Sequence, residues 1–210
     1  MQRHIFSIDF DGVIVDSNRI KQDAWLTLFP KEENIPVSLI QDTLTRISQT
    51  RYDILGGIFT ALMRSEDARD AWVAHYANQY HESLQQALIE RGLCEGAREG
   101  LELLSSRGYA LYLNSGTPET ALHDSIKRLK LAHLFRGIFG APHTKEENLR
   151  RIAFAERVEA DTIIHVGDGT GDQEAAERMR CRFIKVLNKE NEWQGAGFPT
   201  ITSLRELHHL

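Results

Sequence analysis

The stretch IFSIDFDGV, residues 5–13, runs from an apolar segment into two aspartates separated by a single residue. Such a short apolar run is typical of a buried strand in a parallel sheet. Side chains alternate along an extended chain, so Asp9 and Asp11 point to one side and share a site. Two facing carboxylates repel each other, so a metal ion, a proton or both must be present. Solvated carboxylates in a turn are the alternative interpretation of these residues alone.

Three more apolar runs lead into polar groups suited to binding a phosphate. They are residues 110–114 before SGTP at 115–118, residues 137–140 before Lys145, and residues 162–166 before GDGTGD at 167–172. Ligands of open α/β sheets gather at the carboxyl ends of the strands. We therefore expect these groups to meet Asp9 and Asp11 at one edge of a sheet.

Taken in order, four segments resemble the motifs of the haloacid dehalogenase superfamily of phosphohydrolases. The matching segments are DFDGV at 9–13, SGTP at 115–118, Lys145 and GDGTGD at 167–172. The resemblance covers nearly the whole chain, and it points to the subgroup of phosphoglycolate phosphatase and beta-phosphoglucomutase. It implies an α/β fold in which a Rossmann-like parallel sheet core carries a small all-α helical cap.

A long helical interval separates the first two strands. About a hundred residues lie between the first motif and Asn114, whereas a βαβ unit needs only about thirty. The resemblance implies that residues 16–93 form the helical cap and that residues 1–15 and 94–210 form the core. Pro36 and the pair Gly56-Gly57 are predicted to break the interval into about four helices. The core face of one helix is predicted from residues that repeat every four positions, namely Trp72, Tyr76, Tyr80, Leu84 and Leu88.

The resemblance also implies the chemistry of the acidic residues. Asp9 is the expected nucleophile and forms an aspartyl-phosphate, which splits one difficult hydrolysis into two easier steps. Mg²⁺ prefers oxygen ligands, and the expected ones are an Asp9 oxygen, the Asp11 backbone carbonyl and the Asp168 carboxylate. Asp172 is expected to contact the metal ligands instead of the metal, or to reach the metal through a water molecule. The Asp11 side chain then protonates the leaving group and later deprotonates the attacking water.

Phosphate binding is expected from Ser115, Lys145 and the backbone N–H groups of Gly116 and Thr117. The segment TPE at 117–119 predicts a helix N-terminus, where free N–H groups and the helix dipole favour an anion. Lys145 adds a positive charge against the phosphoryl oxygens. Taken singly, Ser115 is also explained as a turn serine and Lys145 as a solvated lysine. Their place in the motif order favours the functional interpretation.

The sequence thus predicts a Mg²⁺-dependent phosphatase that hydrolyses a small-molecule phosphomonoester. A dehalogenase needs no metal and generally lacks the second aspartate, which is present here as Asp11. A sugar phosphomutase or a phosphonatase keeps the same scaffold, and the phosphonatase needs a cap lysine such as Lys21 or Lys31. A non-enzymatic phosphoacceptor of the receiver type has its acidic pair before its lysine, whereas the acidic pair at 168–172 follows Lys145. A protein that only binds is expected to have lost a motif.

Composition sets the remaining expectations. The chain has 210 residues, of which 41% are hydrophobic and 26% charged, and its net charge is −5. Nucleic acid and anionic membranes are therefore not expected partners. No apolar run approaches the roughly 18 residues of a membrane span, and the N-terminus is unlike a secretory signal, so a cytoplasmic protein is expected. Cys94 and Cys181 lack metal-type spacing, and the sequence leaves monomer and dimer open.

The motifs do not determine the substrate, because the core contacts only the phosphoryl group and the metal. Arg46, Arg51 and Tyr52 lie between predicted cap helices, where an arginine suits a second anionic group of the substrate. Arg51 and Tyr52 are the candidates for setting specificity. The alternative interpretation is that they are ordinary surface residues.

Overall fold

The structure, a computed structural model, describes residues 4–47, 50–63, 65–187 and 197–209. Contacts within the chain divide it into two compact units, one of residues 1–18 with 91–210 and one of residues 19–90. The second unit falls inside the interval 16–93 of the sequence analysis. That this interval acts as a cap stays a prediction.

The first unit is built on a parallel sheet. Its strands, among the described residues, are β1 Ile5–Ile8, β2 Ala110–Pro118, β3 Gly137–Ala141, β4 Ile163–Gly167, β5 Arg182–Val186 and β6 Thr200–Ile201. Their order across the sheet is β3-β2-β1-β4-β5-β6, and every neighbouring pair is parallel. The predicted α/β fold with a parallel sheet is confirmed, although the sequence analysis does not predict the short β6.

Helices make up the rest of the regular structure. Those described are α1 Ser17–Thr27, α2 Val37–Arg46, α3 Arg51–Ala61, α4 Arg69–Arg91, α5 Ala97–Ser106, α6 Glu119–Arg128, α7 Lys145–Glu156 and α8 Thr170–Met179, with a final 3₁₀ helix at Leu204–His209. Pro36 immediately precedes α2, as predicted for a residue that cannot continue a helix. Across the described part of the chain, no helix combines the length and the apolar composition that a bilayer crossing requires.

One face of the sheet packs against α7 and α8. Alternation along β1 sends Ile5 and Ser7 to this face, and the strand register sets Ser7 opposite Tyr112 of β2 and His165 of β4. The buried apolar side chains of this face are Ile5, Ala110, Tyr112, Leu149, Ile152, Ile163 and Ala175. Ser7 and His165 are fully buried beside them, so each of these polar groups needs an internal partner.

The unit of residues 19–90 has a core of its own. Trp25 stacks on Tyr80 of α4, with the ring centroids 4.1 Å apart. The members of the predicted aromatic stripe that are buried or partly buried in this core are Trp72, Tyr76, Tyr80 and Leu84. The predicted core face of α4 is therefore confirmed for these side chains, whereas the side chain of Leu88 lies outside the described ones.

The prediction that Gly56-Gly57 breaks a helix is wrong, because both glycines lie inside α3. A Cβ on Gly57 would come within 2.6 Å of Ile47 Cδ1 and within 3.2 Å of Thr43 Cγ2. Thr43 and Ile47 belong to α2 and its C-terminal end. Gly57 therefore serves close packing between two helices, and this use outweighs the low helix propensity of glycine.

We expect the two glycines to differ when changed to alanine. Gly56→Ala should raise the free energy of unfolding by about 0.5–1 kcal/mol through helix propensity, because its nearest neighbour, at 3.0 Å, is the end of the flexible Arg69 side chain. Gly57→Ala should lower it by about 1–3 kcal/mol through overpacking. Urea unfolding of both variants measures the difference, and equal effects would contradict the packing role of Gly57.

Candidate active site

The carboxyl ends of β1, β2 and β4 lie side by side at one edge of the sheet. The chain passes from β1 to β2 and β3 on one side and returns to β4 on the other side of β1. Such a reversal is where open α/β sheets bind ligands. Asp9 follows β1, and its backbone N–H donates to the carbonyl of Val166 in β4 at 2.9 Å. Residues at the ends of three strands are thus brought to one place.

Asp9, Lys145 and Asp172 form a buried charged triad. Lys145 Nζ lies 3.0 Å from Asp9 Oδ2 and 2.6 Å from Asp172 Oδ1, so one ammonium links two carboxylates. Burial alone would lower the pKa of Lys145, but the two carboxylates outweigh it and raise that pKa above its usual range. Lys145 is therefore a fixed positive charge. One such charge faces two carboxyl groups in the triad.

The acidic residues fit a divalent cation. Carboxylate oxygens of Asp9, Asp168 and Asp172 all lie within 4.8 Å of one another, and Asp9 Oδ1 is buried with no hydrogen-bond partner among the described residues. Burial raises the pKa of Asp9 well above its usual range, and the negative charges of Asp172 and Asp11 add to this against the opposing charge of Lys145. An all-oxygen donor set and an unpaired buried oxygen are what Mg²⁺ would satisfy.

Asp11 lies apart from that set of three carboxylates. Its Oδ2 accepts a hydrogen bond of 2.8 Å from the Thr117 hydroxyl, which bridges the loop after β1 and the end of β2. The contact fixes the orientation of the Asp11 carboxyl group, whereas the sequence analysis considers only the backbone N–H of Thr117. The predicted use of the Asp11 backbone carbonyl as a metal ligand stays a prediction.

The predicted phosphate-binding segment lies at the end of β2, immediately before the N-terminus of α6. β2 continues to Pro118, which is the N-cap residue, and α6 begins at Glu119, one residue later than the sequence predicts. Ser115 is buried, and its Oγ accepts from the Thr117 backbone N–H at 3.1 Å. Gly116 is exposed, with open space where a side chain would lie.

Local sequence explains how Lys145 reaches the triad. Thr144 and Glu147 form a capping box, in which each side chain accepts from the backbone N–H of the other, so α7 begins at Lys145. Asn114 of β2 then donates through Nδ2 to the Lys145 carbonyl at 3.0 Å, and Asn148 donates to Asn114 Oδ1 at 3.1 Å. The helix start is thereby tied to the strand that carries Ser115.

The sequence analysis misses two polar residues that the structure brings to this site, Asn114 and His165. His165 contacts Asp172 Oδ1 at 2.9 Å through Nε2. Each of the two interrupts an otherwise apolar strand next to a motif. That interruption is the signal available in the sequence, because a polar side chain inside a buried strand must have a polar partner.

Arg46, Arg51 and Tyr52 belong to the helical unit and are described within it. Arg51 opens α3, and its guanidinium carbon lies 5.8 Å from the centroid of the Tyr80 ring. Tyr52 is 56% exposed. Arg46 is also exposed, and its Nε donates to the Asp42 carbonyl at 3.3 Å. A part for Arg51 and Tyr52 in substrate specificity stays a prediction.

Gly167 gives Asp172 the room to reach the triad. A Cβ on Gly167 would overlap Asp172 Cγ, whereas a Cβ on Gly171 would meet nothing within 4 Å. Gly167→Ala should therefore displace the Asp172 carboxylate and lower the free energy of unfolding by about 3–5 kcal/mol, the usual effect of breaking a buried ion pair. Gly171→Ala is the matched control and should raise it by about 0.5–1 kcal/mol, because Gly171 lies inside α8 and its added Cβ meets nothing. Urea unfolding compares them, and a neutral Gly167→Ala would contradict this packing.

Comparisons with known proteins identify a family and several relatives. A family model for haloacid dehalogenase-like hydrolases matches residues 5–186. A 5'-nucleotidase of Pseudomonas aeruginosa is 28% identical over 145 residues, and the match covers 66% of this chain and 61% of that protein. The structure of YfnB of Bacillus subtilis, solved with bound magnesium, aligns with this chain at a TM-score of 0.71 and 20% identity. The alignment covers 100% of this chain and 98% of YfnB. A beta-phosphoglucomutase of Clostridium difficile aligns at a TM-score of 0.68 and 21% identity, and the alignment covers 98% of this chain and 93% of that protein.

These findings differ in what they establish. At such identities the solved structures show a shared fold, and the match to the 5'-nucleotidase spans less than two thirds of that protein. The family model covers most of the chain, from β1 to the end of β5. The predicted family, fold class and assignment as a hydrolase are confirmed. The chain belongs to the haloacid dehalogenase-like hydrolase family.

Proposed function

We propose that this chain is a Mg²⁺-dependent phosphatase that hydrolyses a small-molecule phosphomonoester through an aspartyl-phosphate at Asp9. The observation that best supports the proposal is the different surroundings of the two carboxylate oxygens of Asp9. One of its oxygens lies 3.0 Å from the Lys145 ammonium, and the other is buried without a hydrogen-bond partner among the described residues. A carboxylate oriented by a cation and left with an unused oxygen is suited to act as a nucleophile.

The metal site proposed is formed by Asp9, Asp168 and Asp172, with the Asp11 backbone carbonyl as a further ligand. When bound, Mg²⁺ supplies the positive charge that lets an anionic nucleophile approach an anionic phosphate. The proximity of the three carboxylates supports this assignment. The bound magnesium of YfnB is a property of that protein, and it makes Mg²⁺ the first cation to test here.

In the first half-reaction an Asp9 oxygen attacks phosphorus, and the bond between phosphorus and the leaving oxygen breaks. Asp11 gives its proton to that oxygen, which leaves as an alcohol. In the second half-reaction water attacks phosphorus, Asp11 takes a proton from the water, and the bond between phosphorus and Asp9 breaks. The Thr117 hydroxyl, 2.8 Å from Asp11 Oδ2, keeps the carboxyl group in one orientation for both transfers.

Lys145, Ser115 and the Gly116 backbone N–H are the proposed phosphate-binding groups. Lys145 neutralises part of the charge on the phosphoryl oxygens while it holds Asp9. The Thr117 N–H points to Ser115 Oγ at 3.1 Å, so its predicted part in phosphate binding requires that bond to be exchanged. Exposure of Gly116 supports access by a ligand.

Residues 16–93 are proposed to act as the cap that determines which phosphomonoester is accepted. Arg51 and Tyr52 remain the candidates for this selection. The relative from Pseudomonas aeruginosa is named a 5'-nucleotidase, so nucleoside 5'-monophosphates belong in the first panel of substrates. The cytoplasmic location and the oligomeric state stay predictions from the sequence.

A sugar phosphomutase is the alternative within the same chemistry. The similarity to the beta-phosphoglucomutase of Clostridium difficile concerns the fold alone, and a mutase also uses a phosphorylated aspartate. The two differ in where the phosphoryl group ends, because a mutase returns it to a sugar whereas a phosphatase transfers it to water. Net release of inorganic phosphate therefore separates them. Phosphonate cleavage, which would need Lys21 or Lys31, has no observation in its favour.

We expect phosphate release from phosphomonoesters to stop in excess chelator and to return when Mg²⁺ is added. Without the cation, the carboxylates and the phosphate repel each other in a buried site. Mg²⁺ should also raise the melting temperature of the substrate-free protein, since a ligand at about 100 times its Kd stabilises the fold by about 2.7 kcal/mol. A phosphate assay and a thermal melt measure the two effects. Full activity in chelator would contradict the metal assignment.

The two aspartates of the first motif should give different defects. Asp9→Asn should abolish the covalent phosphoenzyme and turnover, because an amide is a poor nucleophile. Asp11→Asn should lower turnover by about 10²–10⁴-fold, and more for alkyl phosphates than for p-nitrophenyl phosphate, whose leaving group needs no proton. Asp124→Asn, at an exposed position of α6, is the control and should leave the rates unchanged. Turnover by Asp9→Asn near that of the wild type would exclude the covalent route.

A further inference from the structure

His165 is a buried titratable residue that the proposed mechanism does not use. It lies in β4 between Ile164 and Val166, and its side chain is fully buried. Both ring nitrogens have partners. Nδ1 lies 3.0 Å from the Ser7 carbonyl and 3.1 Å from Ser7 Oγ, and Nε2 lies 2.9 Å from Asp172 Oδ1. The ring thus links the centre of β1 to the acidic residue at the start of α8.

The partner at Nε2 determines which atom carries the hydrogen. Asp172 Oδ1 lies 2.6 Å from the Lys145 ammonium. A carboxylate paired with an ammonium at this distance is ionised, and it only accepts hydrogen bonds. Nε2 must then carry a hydrogen and donate it. Nδ1 is left to accept from the Ser7 hydroxyl or, in a charged ring, to donate to the Ser7 carbonyl.

Asp172 depends on this donation for its orientation. Its Oδ1 accepts from both His165 Nε2 and Lys145 Nζ, at 2.9 Å and 2.6 Å, while Oδ2 accepts from the Gly169 backbone N–H at 3.2 Å. Without His165, the carboxylate would keep one mobile partner, the long Lys145 side chain, and one weak backbone contact. His165 is itself held by β4 and by Ser7, so it is the most rigid of the three groups that donate to Asp172.

We propose that His165 is a positioning residue of the phosphatase, whose Nε2–H fixes the Asp172 carboxylate so that it holds Lys145 against the nucleophile Asp9. The proposal rests on the proposed function. His165 does not touch the reacting atoms, and it acts through Asp172 and Lys145. A network of this kind behind a metal ligand orients the ligand and strengthens metal binding.

Two amide substitutions distinguish the contact made by Nε2 of His165 from the contact made by Nδ1. In His165→Gln the side-chain nitrogen takes the place of Nε2, so the donation to Asp172 is kept and the contact with Ser7 is lost. In His165→Asn the nitrogen takes the place of Nδ1, so the contact with Ser7 is kept and the donation to Asp172 is lost. Both variants are polar and smaller than histidine, so a loss of packing alone should affect them in the same direction.

We expect His165→Asn to weaken Mg²⁺ binding by about 10–100-fold and to lower kcat by a similar factor, with KM for the phosphate ester changed less. His165→Gln should recover most of both losses. Mg²⁺ affinity is measured by titration calorimetry without substrate, and kcat and KM by phosphate release. Tyr112→Phe is the control, because it removes a hydroxyl bonded to Glu156 at 2.7 Å on the same face of the sheet. It should lower the melting temperature and leave Mg²⁺ affinity and kcat unchanged.

The outcomes separate this proposal from the proposed function. A wild-type protein that neither binds Mg²⁺ nor releases phosphate contradicts the proposed function. An active wild type with His165→Asn and His165→Gln alike in Mg²⁺ affinity and kcat overturns the positioning role. If His165→Asn does not fold, ¹⁵N NMR of the wild-type protein at neutral pH decides, because it shows which ring nitrogen of His165 carries a hydrogen. A hydrogen on Nε2 supports the proposal, and an Nε2 without one overturns it.

Discussion

The pairing of buried charges at the ends of β1 and β4 is the constraint on which the rest of the site depends. Asp9 and Asp172 are 3% and 1% exposed, and they share the single ammonium of Lys145. Charges removed from water are tolerated only when paired and hydrogen-bonded. Lys145 links both carboxylates and Asp168 lies close by, so this group of oxygens is suited to a further cation. A bound cation would offset the cost of bringing the carboxylates together, as the proposed function requires.

The surrounding structure is arranged to keep this group of charges in place. Gly167 leaves room for the Asp172 carboxylate, the capping box at the start of α7 places Lys145 at the first helical position, and Asn114 ties that position to β2. Each of these devices lies at the end of a strand or the start of a helix. Such positions combine rigid backbone with free polar groups, which is why a parallel sheet presents catalytic residues at its carboxyl edge.

Stability and chemistry oppose each other most clearly at Asp9. The raised pKa of this residue means that its ionised form is disfavoured by the fold, yet the ionised form is the one that the proposed mechanism requires for attack on phosphorus. A bound cation would resolve the conflict, because it would favour the ionised carboxylate and stabilise the folded state together. Residues 19–90 have a separate aromatic core. The proposed function therefore assigns substrate selection and charge stabilisation to different parts of the chain.

The sequence by itself determined the four strands that lead into the motifs, the order of those motifs and the acidic character of the candidate site, because short apolar runs and the polar residues that end them are local features. It failed at Gly56-Gly57, where close packing with α2 outweighs the low helix propensity of glycine, and it placed the start of α6 one residue too early, at Pro118 instead of Glu119. Only the tertiary structure decided that Thr117 bonds to Asp11 and that His165 bonds to Asp172. These partners are brought together by strand register and helix packing. A hydrogen bond between residues far apart in the chain produces no periodic pattern from which the sequence could predict it.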